Sequence, residues 1–337
     1  MAERRCVQAL RGWACLMVVC YHCLQVTGGS AAIAAWPNLS AGVDVFFVIS
    51  GFVMVTSSAR LAGAAHPARV FLARRAVRIV PLYWVLTALK LAVVAALPAA
   101  TRSTAPNAWN IAASFLFIPS RNALGVVRPV LPVGWTLEFE VFFYLLFAAA
   151  LALRLRLVWV VVGLAGVAAA GFWRQAWWPA PCVLLNGMVL EFAGGMGLAW
   201  LAGQGWKLPR RLGGVLISAG MLALLVLPLA GPWRCAVWGI PAVMVVAGAL
   251  SVEGVRVPRW VVAVGDASYA IYLVHPFVVP ALGGWLAVPA SMGAGMLADR
   301  LLDRPLRALL SADRAITPPP QKFFGSFFQK RTALRPW

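Results

Sequence analysis

The sequence predicts an all-α polytopic membrane protein with about ten transmembrane helices and both termini in the cytoplasm. Three observations point there. Of the 337 residues, 62% are hydrophobic and only 12% are charged, roughly half the charged fraction of a soluble domain. Apolar runs of about 20 residues, the length of a membrane span, recur along most of the chain. The Lys and Arg residues fall mainly in alternate connections.

Ten hydrophobic segments lie near residues 7–25, 42–58, 80–99, 133–152, 157–173, 182–201, 212–229, 234–251, 259–279 and 281–298. The first follows a basic start, MAERR, yet it has no Ala-x-Ala site and carries Arg11 and His22, which argues against a cleavable signal peptide. The main inner connection, residues 59–79, sets Val70, Phe71, Ala76, Val77 and Ile79 among arginines. That pattern predicts an amphipathic helix lying along the inner surface. Residues 100–132 form the longest outer connection, and its LFIPS and VLPVG are expected to dip back against the helices. The tenth segment, with GGWLAVPASMGAGML, is short and rich in Gly and Pro. Residues 310–337 mix basic residues with two Phe-Phe pairs and read as a basic cytoplasmic tail behind a membrane domain of residues 1–309.

One set of alternate connections holds twenty-three Lys and Arg residues and the other holds five, Arg102, Arg121, Arg128, Arg174 and Arg234. The richer side is assigned to the cytoplasm. A net charge of +19 then reflects membrane orientation, and no nucleic-acid partner is expected. Most of the six cysteines sit in apolar segments, where cysteine behaves as a small hydrophobe. CYHC, from Cys20 to Cys23, has the look of a metal clip, but no second pair of ligands follows and no metal is expected.

Ionisable groups inside hydrocarbon are costly, so each is a functional candidate. Arg11 and His22 are eleven positions apart, about 20° past three full helical turns, with a rise of about 16.5 Å. Both therefore share one helix face, Arg11 near the inner surface and His22 in the outer half. Alone, Arg11 reads as a snorkelling anchor and His22 as a histidine satisfied between helices. Together they suggest a channel for a long ligand with an anionic head and a reactive far end. Asp44, in GVDVFFVISGF, is expected at the depth of His22, where it would hold the imidazole or cap its helix. Ser50, deeper in that segment, belongs either to close packing or to a substrate contact. Arg75 and Arg78 are spaced i, i+3 and could grip phosphates. Glu138 and Glu140 lie on different faces, whereas Glu140 and Tyr144 share one. Ser268, Tyr272 and His275 share a face of the ninth segment, with His275 near its outer end. His22, Asp44, Glu140 and His275 are thus expected to converge in the outer half, opposite Arg11, Arg75 and Arg78.

These residues resemble the membrane-bound acyltransferase-3 family, and its exopolysaccharide-acetylating branch in particular. The resemblance spans about residues 5–280 and returns near 300–307. It rests on Arg11 and His22, on GVDVFFVISGF, and on Arg75, Arg78, Pro81, Tyr83 and Trp84. Trp135 to Glu140 with Tyr144, LEFAGGM from Leu190, SYAIYLVHP and DRP at Asp303 to Pro305 complete it. Each motif is weak alone; their order makes the match. The resemblance implies acyl transfer, usually from acetyl-CoA, to a glycan hydroxyl at the outer face of a bacterial inner membrane. It implies Arg11 and His22 as the essential pair. Under it His22, Glu140 and Asp44 are the candidate catalytic residues. Arg11, Arg75 and Arg78 would hold the donor, and Ser50, Tyr144, Tyr272 and His275 the substrate. Two departures stand out. Only about 30 residues separate His275 from DRP, so the last crossing is expected to be abbreviated or altered. No appended hydrolase-like domain is visible, which would leave acceptor choice to the membrane domain and its outer loop. The residues by themselves also suit a transporter or flippase of an anionic lipid-linked sugar.

Overall fold

The computed structural model describes residues 4–61, 64–97, 104–228 and 231–311. Among them the chain is helical, with no strand beyond two isolated bridges. Helix α1 runs from Arg5–Ala35 and breaks at Gly29, where φ is 61°. A 3-10 turn at Pro37–Ala41 leads into α2, Gly42–Ser58. Helix α3 is Pro67–Ala96, α4 is Ala108–Phe115 and α5 is Trp135–Ala152. Then come α6 (Leu157–Ala170), α7 (Val189–Gly203), α8 (Arg210–Val226) and α9 (Ile240–Ser251). The chain ends with α10 (Arg259–Asp266), α11 (Ser268–Leu282), α12 (Ala287–Ala298) and α13 (Arg304–Ser311).

Four helical stretches are long and apolar enough to cross a bilayer: Arg5–Gly29, Pro37–Ser58, Pro67–Ala96 and Pro132–Ala152. The pair α10 and α11 makes a fifth candidate, bent by 70° at its break. Each of the ten segments read from sequence contains helix among the described residues, but Leu157–Trp173, Val189–Gly203 and Cys235–Ser251 are shorter apolar helices.

Two local expectations change. The basic stretch before residue 80 is no separate surface helix, because α3 is one continuous helix of 30 residues with Pro81 inside it. Proline removes one ladder hydrogen bond, a loss that neighbouring groups make good within membrane helix bundles. The ninth segment is not straight but breaks between α10 and α11; just before the break Gly265 lies hard against α1, where a Cβ would meet the Gln8 carbonyl oxygen at 1.9 Å. The last segment, expected to be abbreviated or altered, is the 12-residue α12. A π-turn at Asp299–Asp303 carries it into α13. That turn is pinned by Arg304 Nε donating to Asp299 Oδ2 at 2.7 Å and by Arg307 pairing with Asp303. Residues 312–337, most of the expected basic tail, lie outside the described residues, as does Arg102.

Helices α2 and α7 cross at backbone contact. A Cβ on Gly51 would lie 2.1 Å from the Phe192 carbonyl oxygen, and one on Gly195 would lie 1.9 Å from that of Val48. Such close approach is how small residues join helices where lipid removes the hydrophobic drive. The connection between α4 and α5 does fold back onto the bundle. Val130 and Leu131 are fully buried, and Phe117 packs on the buried Tyr83 ring with centroids 4.6 Å apart. Its backbone is satisfied by buried side chains: Asn110 Nδ2 donates to Ser120 Oγ and to the Arg128 carbonyl, both at 2.9 Å. Ser114 Oγ accepts from the Val130 amide at 2.9 Å.

Candidate active site

Helices α1, α2, α3, α5 and α11 line a partly open cavity of about 370 Å³. One end is cationic. Arg4 and Arg11 reach it from α1 or just before it, and Arg75 and Arg78 from α3. Arg11 Nη1 is steadied by Gln8 Oε1 at 3.1 Å. Arg4 lies 4.7 Å from the Phe52 ring centroid, and Arg75 lies 5.4 and 5.7 Å from those of Phe71 and Tyr144. Arg75 also donates to Ser57 Oγ. These contacts hold the guanidinium stems while leaving donors for a ligand.

Glu140 of α5 is the carboxylate of this cavity. Tyr144, one turn on, donates to its Oε1 at 2.5 Å, and Ser50 of α2 donates to the same oxygen at 3.1 Å. The i, i+4 spacing of Glu140 and Tyr144 put both on one face, and α2 brings Ser50 to them.

The opposite end is closed by Tyr272 of α11. Its hydroxyl donates to the Val133 carbonyl at 3.1 Å and lies 2.9 Å from Thr136 Oγ1. One turn on, the ring of His275 lies 5.7 Å from that of Tyr272. His275 Nε2 stands 3.2 Å from His22 Nδ1, and the two rings are 4.9 Å apart. His22 Nδ1 also faces the Val18 carbonyl oxygen at 2.9 Å. A carbonyl only accepts, so this network assigns the hydrogen of neutral His22 to Nδ1 and leaves the Nε2 lone pair free.

The structure gathers the sequence candidates in a different way from that expected. His22 and His275 do meet. Arg11, Arg75, Arg78, Ser50, Glu140 and Tyr272 line one cavity, with Tyr144 bonded into it. Glu140 sits with the arginines and not with His22. Asp44 is elsewhere too. A Cβ on Gly42 would lie 2.2 Å from the Ala14 carbonyl oxygen, so α2 starts about two turns below His22. Asp44 instead accepts a bidentate pair from Arg234, at 3.0 Å from Nε and 2.7 Å from Nη2, with Glu191 of α7 adjoining. Among the described residues no carboxylate bonds His22; a second histidine and a backbone carbonyl face it instead. His22 does not line the cavity directly, because Tyr272 and His275 stand between.

Sequence reading missed Arg4 and Arg234. Arg4 was legible, since it is seven positions before Arg11 and hence on its face. Nothing local marks Arg234, whose partner is 190 residues away. Among the described residues no three His, Cys, Asp or Glu side chains gather where they could hold a metal ion.

The profile of an acyltransferase domain family matches residues 4–308. The chain is also 36% identical over 298 residues to the exopolysaccharide production protein ExoZ of Rhizobium meliloti strain 1021. That alignment covers 84% of this chain and 90% of ExoZ. No solved structure matches the chain.

Proposed function

We propose a function from one premise, that this chain belongs to the acyltransferase-3 family and is an acyltransferase enzyme. Our reading is an integral-membrane O-acyltransferase of a bacterial inner membrane. It moves an acyl group, acetyl in the simplest case, from acyl-CoA to a hydroxyl of an exopolysaccharide or other cell-surface glycan. The ten apolar segments are taken as ten crossings, with both termini and the arginine end of the cavity in the cytoplasm. Residues 1–309 form the transferase domain.

The observation that carries this reading is the cavity's polarity. Four guanidinium groups line one end, and a histidine pair stands behind the wall at the other. Its volume falls within the range of ligand pockets. The phosphates of the donor dock on Arg4, Arg11, Arg75 and Arg78, with Glu140 and Tyr144 fixing Arg75. The pantetheine arm points toward Tyr272, whose side chain must turn aside for the thioester to reach His22. His22 Nε2 takes the proton of the sugar hydroxyl as its oxygen attacks the thioester carbon. The tetrahedral intermediate collapses, the carbon–sulfur bond breaks, and the thiolate takes the proton. The products are a sugar ester and the free thiol. The Val18 carbonyl keeps His22 in the tautomer that this step needs, and His275 accepts from the same Nδ1 hydrogen.

The reading is tested with purified protein, labelled acetyl-CoA and exopolysaccharide from cells lacking the protein. Label should pass to the polymer, and His22→Ala should abolish that transfer. Transport of a lipid-linked sugar without any acyl transfer would replace this reading.

A further inference from the structure

The acceptor end of the molecule carries a charge pattern that acyl transfer alone does not require. None of the ten acidic residues falls in residues 104–132 or 171–188, the two longest described connections at the histidine end, whereas Arg121, Arg128 and Arg174 do. Membrane orientation favours few cations on the outer side, so cations without counter-charges there call for a role.

Two of these arginines differ in what they do. Arg121 is a tether. It donates to the Gly125 carbonyl at 2.9 Å and to those of Ala176 and Trp178 at 2.6 and 3.1 Å, joining the two connections. Arg128 is exposed, and its guanidinium makes no hydrogen bond or ion pair with any described residue. Its backbone, by contrast, is fixed. The amide donates to the Ser120 carbonyl at 3.2 Å, and the carbonyl accepts from buried Asn110. From Arg128 the chain descends to Val133, whose carbonyl meets Tyr272 beside His275. A braced connection thus presents an unpaired guanidinium five residues before Val133, whose carbonyl meets the side chain next to the histidine pair.

We propose that the acceptor is anionic and that Arg128 reads its negative group while the adjacent hydroxyl is presented to His22. This inference rests on the acyl-transfer reading above. The anion is either a carboxylate on the sugar or the phosphate of a lipid carrier. A guanidinium binds either one bidentately.

The experiment uses full-length protein in nanodiscs, acetyl-CoA, and exopolysaccharide from cells lacking the protein. The polymer is supplied native or with its carboxylates reduced to alcohols. A second arm adds farnesyl phosphate as a competitor. The native polymer should be the better acceptor by about tenfold or more in kcat/KM, the scale of a lost charge-assisted hydrogen bond. The gap should narrow with added salt. Arg128→Gln should close it through the acceptor KM, and Arg128→Lys should keep most of it. An absent gap with competition by farnesyl phosphate that Arg128→Gln removes assigns the anion to the carrier. Equal use of both polymers without such competition overturns the proposal and leaves acyl transfer standing. So does a gap that Arg128→Gln leaves intact. Failure of the wild type to acylate either polymer overturns both readings.

Discussion

His275 of α11 faces His22 of α1 at 3.2 Å, nitrogen to nitrogen, although 253 residues separate them in the chain. The Val18 carbonyl fixes the hydrogen of His22 on Nδ1, so His275 Nε2 meets that hydrogen as an acceptor. His275→Ala should therefore lower kcat for transfer while leaving the KM for acyl-CoA unchanged. His275→Gln keeps an acceptor oxygen and should recover part of the loss. Equal loss in both variants would mean that His275 only fills space.

The four arginines of the cavity should act on the donor. Arg75→Ala or Arg78→Ala should each raise the KM for acyl-CoA about 10- to 100-fold, from the loss of a charge-assisted hydrogen bond of about 1.5–3 kcal/mol. Acyl-pantetheine, which lacks the nucleotide phosphates, should be far less sensitive to the same substitutions. Steady-state kinetics with the two donors checks this. A parallel loss for both donors would assign the arginines to structure.

Asp44 and Arg234 form a buried pair, with side-chain exposures of 0% and 18%. Removing one partner strands the other, at a cost of about 3–5 kcal/mol. Asp44→Ala should lower the melting temperature in detergent sharply, and so should Arg234→Ala. Adding Arg234→Met to Asp44→Ala should restore part of it, because the stranded cation is gone. Additive losses would show that the pair is not coupled.

The crossing of α2 and α7 depends on glycine. Gly195→Ala would push a methyl into the Val48 carbonyl, and overpacking of this kind typically costs about 1–3 kcal/mol or more. Gly197, two residues on, faces open space, so Gly197→Ala should leave thermal stability nearly unchanged. Similar melting temperatures for the two variants would contradict the close contact.

What could be read from sequence was what helical periodicity carries. Arg11 and Arg75 with Arg78, and the pair Glu140 and Tyr144, were placed by spacing alone, and they line or join one cavity. Depth was read less well. A start of α2 at the membrane surface would put Asp44 beside His22, but Gly42 seats α2 against Ala14. Glu140 was drawn toward His22 for the same reason. The basic pattern of residues 59–79 reads as a surface helix apart from the span at 80–99, yet α3 runs through both, with Pro81 inside it. The pairing of Asp44 with Arg234 is set by tertiary contact and leaves no local trace.

The most direct measurement follows label from acetyl-CoA to polymer in nanodiscs, comparing wild type with His22→Ala while donor binding is measured by calorimetry. The account expects His22→Ala to bind acetyl-CoA as the wild type does and to transfer nothing detectable. Transfer at the wild-type rate without His22 would contradict it.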